Sequence, residues 1–307
     1  MTDEQLSAKQ GSENAPPANG VGNPAAPRKP LGARWTYIIL GVTLAFVLMP
    51  FLLWRATWFG QPLSDPQLAH ALVDTQSPRD VQHGLSAVAD RIIRQDPTVR
   101  QFYPQVVALA SNPRPAIRTM VAWVMGQDNT SAAFHSALLR LLNDPDLMVQ
   151  RNAALGLVRF HDAAGHAVIV SMLKASVIDS PAAGRLQTRL KPGQTVNPNT
   201  LIAVVDAPGG KREVRSEVPG AIDRWLAPNG ADVSAGQPIA SIFPADDVVW
   251  EALRALYLIG TPADLAAIAP YARGAGDLPQ QIAEQARLTM QEIRARASAP
   301  AASTTPR

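Results

Sequence analysis

The residues able to do chemistry in this chain are few and scattered. Its five histidines are His70, His83, His135, His161 and His166. Only His161 and His166 lie close together. Their spacing misses a shared helical face and Asp162 between them reads as a turn residue, so no metal site is expected. Cysteine is absent, which excludes disulfides, thiolate metal ligands and a cysteine nucleophile and suits an oxidising compartment. No Ser-His-Asp set can be assembled from residue order. Gly209-Gly210 lies in a β-hairpin rather than ahead of a helix, so it does not read as a phosphate loop. Arg79, Arg91, Arg94, Arg114 and Arg118 fall on helix turns and polar faces, where they are expected to be solvated. Lys211 lies in the hairpin Asp206-Ala207-Pro208-Gly209-Gly210-Lys211-Arg212. No catalytic set, metal or cofactor is expected, and the chain does not read as an enzyme.

The elements that must position these residues fall into blocks. At 307 residues the chain has room for about two domains, taking roughly 150 residues for each. Hydrophobic residues make up 47%, enough for real cores, while 27 prolines are too many for one uninterrupted helical fold. A formal charge of only +3 gives no case for a nucleic-acid surface.

From Trp35 to Trp54 no residue is charged, and Arg34 and Arg55 bracket the run. Such a run spans roughly 30 Å as a helix, the thickness of a bilayer's hydrocarbon core. Trp35 and Tyr37 at one end, and Trp54 and Trp58 at the other, suit interfacial belts. The run is too long for a signal peptide and lacks a small-residue cleavage site. Arg28, Lys29 and Arg34 precede it and only Arg55 follows closely, so the N-terminus is expected in the cytoplasm and the rest beyond the membrane. Residues 1–34, with Asn14-Ala15-Pro16-Pro17-Ala18-Asn19-Gly20, read as a disordered cytoplasmic tail. Residues 299–307 read as a second disordered tail.

After a linker the chain alternates apolar helices with brief turns. Ser77-Pro78 opens a helix whose Val81, Leu85, Val88 and Ile92 paint one face. Asp96-Pro97, Pro115 and Asn143-Asp144-Pro145 punctuate those that follow. Pro78 to Pro113 is 35 residues and Pro113 to Pro145 is 32, the period of paired antiparallel helices in an α-solenoid. The motif Val149-Gln150-Arg151-Asn152-Ala153-Ala154-Leu155 then returns as Val249-Trp250-Glu251-Ala252-Leu253, 100 residues on. One period of 32 leaves 68 residues in the gap, the size of a small inserted domain.

Asn143-Asp144-Pro145-Asp146-Leu147-Met148-Val149, with Arg151 and Ala153-Ala154-Leu155-Gly156, resembles HEAT-like repeats. Val249 to Leu256, with Ile259-Gly260 and Pro262-Ala263-Asp264-Leu265, is similar. The resemblance implies an array over residues 60–176 that resumes over 246–298, with an extended surface for protein partners.

Within 183–244 the helical period gives way to short β-type runs, Leu201–Val205, Glu213–Val218 and Pro238–Phe243. The segment is doubled. Gly184, Leu186, Leu190 and Pro192 recur 36 residues later as Gly220, Ile222, Leu226 and Pro228; Gly193, Val196 and Ile202 recur 37 later as Gly230, Val233 and Ile239. Two matching halves predict two similar β layers related by a pseudo-twofold. With Lys191-Pro192-Gly193-Gln194-Thr195-Val196 and Val218-Pro219-Gly220-Ala221-Ile222, the segment resembles the biotinyl/lipoyl-like barrel-sandwich hybrids. That resemblance implies termini close together, as insertion between two helices of one repeat requires. It also implies, in carrier members, a modified lysine at the tip of the hairpin between the halves. Lys211 is the matching candidate, but no Met-Lys-Met or Asp-Lys-Ala setting surrounds it. It also stands about two residues nearer Gly220 than the family's lysine does to its equivalent, and is expected to be a solvated hairpin lysine.

Unmodified modules of this kind occur in bacterial membrane fusion proteins, the adaptors of efflux pumps and secretion systems, which this chain resembles distantly. It differs from them in its short hairpin tip and in returning to helices after Phe243. The reading is an α+β multidomain protein with one transmembrane helix, a HEAT-like solenoid and an inserted all-β barrel-sandwich hybrid. Its expected role is a periplasmic, inner-membrane scaffold or adaptor binding protein partners in an envelope complex. The alternative is a covalent biotin or lipoate carrier using Lys211.

Overall fold

The computed structural model of the chain describes residues 63–74, 76–274 and 278–298, together with Tyr37, residues 41–44, Phe46, Leu48 and Met49. The chain divides into two units, Met1–Gln61 and Pro62–Arg307. In the first, the described residues from Tyr37 to Met49 are helical and exposed. No helix among the described residues is long and apolar enough to cross a membrane. The expected span Trp35–Trp54 lies mostly outside the described residues, and the tails 1–34 and 299–307 lie wholly outside them.

The second unit begins with helices started by local chemistry. In α1 (Asp65–Val73) the Ser64 and Gln67 side chains close a capping box with Pro66 in the first turn. Pro78 opens α2 (Pro78–Ile93), whose Val81, Leu85 and Val88 are fully buried, as their spacing predicts. A 3-10 segment leads into α3 (Tyr103–Ala108). Pro115 opens α4 (Pro115–Met125), and the Ser131 hydroxyl caps α5 (Ala132–Leu141). The Asp146 carboxylate accepts from the Met148 and Val149 amides to start α6 (Leu147–Arg159), and α7 (His166–Met172) follows. After the β module come α8 (Asp246–Ile259), α9 (Leu265–Ala272) and α10 (Gln280–Ser298).

Two rows result. The longer helices α2, α4, α6, α8 and α10 each pack on the next, and the shorter ones back them, so neighbours bury faces that no single pair could cover. The row runs straight across the insertion. Helices α6 and α8 touch, the Tyr271 hydroxyl donates to the Leu173 carbonyl at 2.6 Å, and His166 bonds Asp264 at 2.8 Å. The repeat is also visible in polar detail. Arg118 donates to the carbonyl of Asn112 and Gln150 to that of Asp144, the same contact one 32-residue period on.

Two arginines expected to be solvated are not. Arg118 is buried and grips Asp144 through two bonds of 2.7 and 2.8 Å. Arg91 donates to the Asp65 carboxylate and the Leu63 carbonyl. Both partners lie 26 or more residues away in sequence, so a one-helix reading could not find them. Arg151 is buried too, and its Nε and Nη1 find no hydrogen-bond partner among the described residues.

The module comprises β1 (Ser176–Asp179), β2 (Gly184–Thr188), β3 (Thr195–Val196), β4 (Leu201–Ala207), β5 (Gly210–Arg215), β6 (Gly220–Trp225), β7 (Asp232–Val233) and β8 (Pro238–Pro244). They form two antiparallel four-stranded sheets, β1-β8-β6-β3 and β5-β4-β2-β7. Exchanging the first four strands with the last four turns one order into the other, which is the pseudo-twofold the doubled sequence implied. Hydrogen bonds repeat with it: Gly193 N–H donates to Ile222 O and Gly230 N–H to Leu186 O, both at 2.7 Å. Gly193 and Gly230 share φ +84°, a conformation that favours glycine at these turns.

The module is longer than its sequence signature. It starts at Ser176, not 183, because β1 pairs antiparallel with β8. Only Ile178 of β1 is buried, so its alternation is too short to announce a strand. The expected strand Glu213–Val218 is β5, shifted earlier to Gly210–Arg215. The insertion falls between α7 and α8, whose ends are brought together by the β1–β8 pairing of Ser176 with Ile242.

Candidate functional site

The hairpin that would present an attachment lysine is closed by Ala207 opposite Gly210, which puts Pro208 and Gly209 in the turn. Proline fixes φ for such a corner and glycine follows it freely. Lys211 is exposed but sits inside β5, opposite Asp206. The tip therefore carries no amine, and the position two residues before Lys211 is Gly209. At the far end of β5, Arg215 is held by Glu213 and by the Asn199 carbonyl, both at 2.7 Å.

That far end faces the helical array. A cleft of about 1140 Å³ separates them, lined by the starts of α2, α4 and α6 and by module residues Pro198, Asn199 and Arg215–Glu217. Leu147 of α6 packs onto the module's core. Five strand steps of about 3.3 Å carry β5 from this contact to the tip. The hairpin tip thus stands clear of the array, at the pseudo-symmetry mate of the β8-to-β1 junction where the module joins its host.

His161 and His166 are not brought together. His135 and His166 instead join a ladder of polar pairs along the shorter helices. The Tyr103 hydroxyl donates to Asp128 at 2.7 Å, His135 bonds Asp162 at 2.7 Å, and His166 bonds Asp264 at 2.8 Å. Each aspartate also accepts from a nearby backbone amide in its own turn: Thr130, Ala164 and Thr261. Among the described residues no group of three His, Cys, Asp or Glu could hold a metal ion.

These bonds contribute to the acid sensitivity of the array. Burial alone would raise the Asp128 and Asp264 carboxyls, but the accepted hydrogen bonds and nearby charge outweigh it and hold both below the ordinary aspartate range. At Asp162 the Ala164 amide is the main cause, and burial is outweighed as well. A depressed folded pKa means stabilisation fully present above the unfolded value of about 4 and lost as pH falls through the folded one. Stability of the wild type is expected to drop as pH falls from about 4 towards 2. The double variant Asp162→Asn/Asp264→Asn should start lower and flatten that limb, as followed by urea midpoints across pH. A wild-type midpoint that stays constant below pH 4 contradicts this.

Sequence reasoning missed Ser180 and Ser216. Both are buried; their hydroxyls donate to Ala182 O and Val218 O, each at 2.7 Å. They are 36 residues apart, the spacing of Gly184 and Gly220, so the doubling carried that signal. Nothing in the residue order announced a groove of about 450 Å³ on α4, α6 and α8, lined by Trp123, Leu155 and Leu258.

A family model described as biotin-requiring enzyme matches residues 174–242. The match starts two residues before β1 and ends within β8. Residues 174–242 are a biotin/lipoyl-type domain, set into a helical chain that the match does not cover. No curated protein matches the chain.

Proposed function

We propose that this chain is a non-catalytic scaffold or adaptor, anchored in a bacterial inner membrane, that docks protein partners through its helical array and an unmodified lipoyl-like module. The observation that carries the reading is the hairpin: a carrier-type domain whose tip is Pro208-Gly209, with Lys211 drawn back into β5. The array reads as HEAT-like because of its two-row packing and the repeated Arg118 and Gln150 contacts. Anchoring rests on the uncharged run Trp35–Trp54, and the periplasmic placement rests on the basic residues before it. The resemblance to membrane fusion proteins supplies the envelope setting, in transport or secretion.

A second reading, a biotin or lipoate carrier, is favoured by the family match itself. Intact mass of the natively expressed chain separates the two. The adaptor reading expects the unmodified mass, and an adduct on Lys211 overturns it. Crosslinking in intact cells and mild solubilisation should recover the chain with envelope proteins. Recovery as a partnerless monomer, or release from membranes by alkaline carbonate, counts against the proposal.

A further inference from the structure

A groove on the longer helix row carries two of the large apolar side chains that the helical surface exposes. Trp123 is 45% exposed and Leu258 51%, an aromatic and an aliphatic wall that no neighbour covers among the described residues. The end of α4 comes close to α6 at two glycines; a Cβ on Gly126 would lie 3.0 Å from the Gly156 Cα. Large exposed apolar side chains beside arginine are the composition of interface hot spots.

The charges at the rim are unequal. Arg159 reaches the Gln127 carboxamide at 3.0 Å and makes no ion pair, and Arg254 makes none either among the described residues. Glu251 is the single carboxylate on the rim. Desolvation and the charge of Asp247 push its carboxyl up, and the charge of Arg254 draws it back down. The groove therefore combines apolar walls with two guanidiniums against one carboxylate.

We propose that this groove docks a partner segment that carries one large apolar side chain flanked by acidic residues. The apolar side chain enters between Trp123 and Leu258, and its acidic neighbours meet Arg159 and Arg254. The inference rests on the adaptor reading above and names the chemistry of its partner.

The test uses the full chain in mild detergent and fluorescent ten-residue peptides. Each peptide has a central Leu, Phe or Trp and flanks that are acidic, neutral or basic. Acidic-flank peptides are expected to bind at least ten times more tightly than basic ones, with the preference shrinking as salt rises. Trp123→Ala should weaken binding about tenfold or more, and Arg159→Glu/Arg254→Glu should reverse the flank preference. These side chains are exposed, so the variants should fold, which circular dichroism checks. No binding by any peptide, no flank preference, or a double variant that keeps the wild-type preference overturns the proposal. Crosslinked complexes separate this failure from that of the adaptor reading. If wild type and variants retain the same partners, this groove is not the site although the adaptor reading stands; a wild type without partners sinks that reading.

Discussion

Valine at Gly220 will unfold the β module while the helical array stays folded. Gly220 opens β6 opposite Pro244, and a Cβ there would overlap the Phe243 carbonyl oxygen. Its pseudo-symmetry mate Gly184 stands in the same relation to the Asp206 carbonyl, so the close approach is built into both halves. The obstacle is backbone, which cannot rotate aside; β6 and β8 must separate. Overpacking a well-packed site costs about 1–3 kcal/mol, and a backbone overlap belongs at or above the top of that range. A domain of this size has roughly 3–10 kcal/mol in total at about 0.05–0.15 kcal/mol per residue, so the substitution removes much or all of it. Hydrogen exchange of the full chain should show β4 and β8 amides losing protection while α2 and α4 keep theirs. Gly209→Ala is the control. A Cβ at Gly209 would meet nothing within 4 Å, so this substitution should change little. Equal protection in the Gly220→Val and wild-type modules would refute the backbone overlap as the cause.

The contrast between those two glycines bears on what could be read from the residues. The doubling of Gly184 and Gly220, Val196 and Val233, and Ile202 and Ile239 made the module legible, because each half needs the same turns and the same inward positions. The helices were legible because apolar spacing, as at Val81, Leu85 and Val88, marks the face each one buries. What stayed hidden depended on partners far apart in sequence. Strand β1 becomes a strand only through β8, about 60 residues away, and Arg118 becomes buried only through Asp144. The Trp123 groove was hidden because three helices from either side of the insertion build it. Lys211 shows the opposite case. Its two-residue displacement is measured against the position that the resemblance implies, and the strand register places the residue within β5 rather than in the turn.

Removing either member of the Arg118–Asp144 pair will cost the array more than removing both. The two side chains are 11% and 6% exposed, and they meet through Nε and Nη2 in a planar fork. Arg118 also donates to the Asn112 carbonyl at 2.9 Å, and Asp144 accepts from the Asp146 amide at 2.9 Å. One contact therefore ties α4 to the turn that starts α6. Breaking such a pair costs about 3–5 kcal/mol, because the survivor is left as an uncompensated buried charge. Arg118→Ala and Asp144→Ala should each lower the urea midpoint of the array by that order, whereas Arg118→Met/Asp144→Leu should recover most of the loss. Acid should act like the single variants. Burial alone would raise the Asp144 carboxyl, but the Arg118 hydrogen bonds, the Asp146 amide and the guanidinium charge hold it below the usual range. Its stabilisation is thus complete above about pH 4 and is lost as pH falls through the folded pKa. In the double variant that share of the acid sensitivity disappears. If the double variant were as unstable as the sum of the singles, the pair would be acting through packing rather than charge, and the two helices would be held by their apolar faces alone.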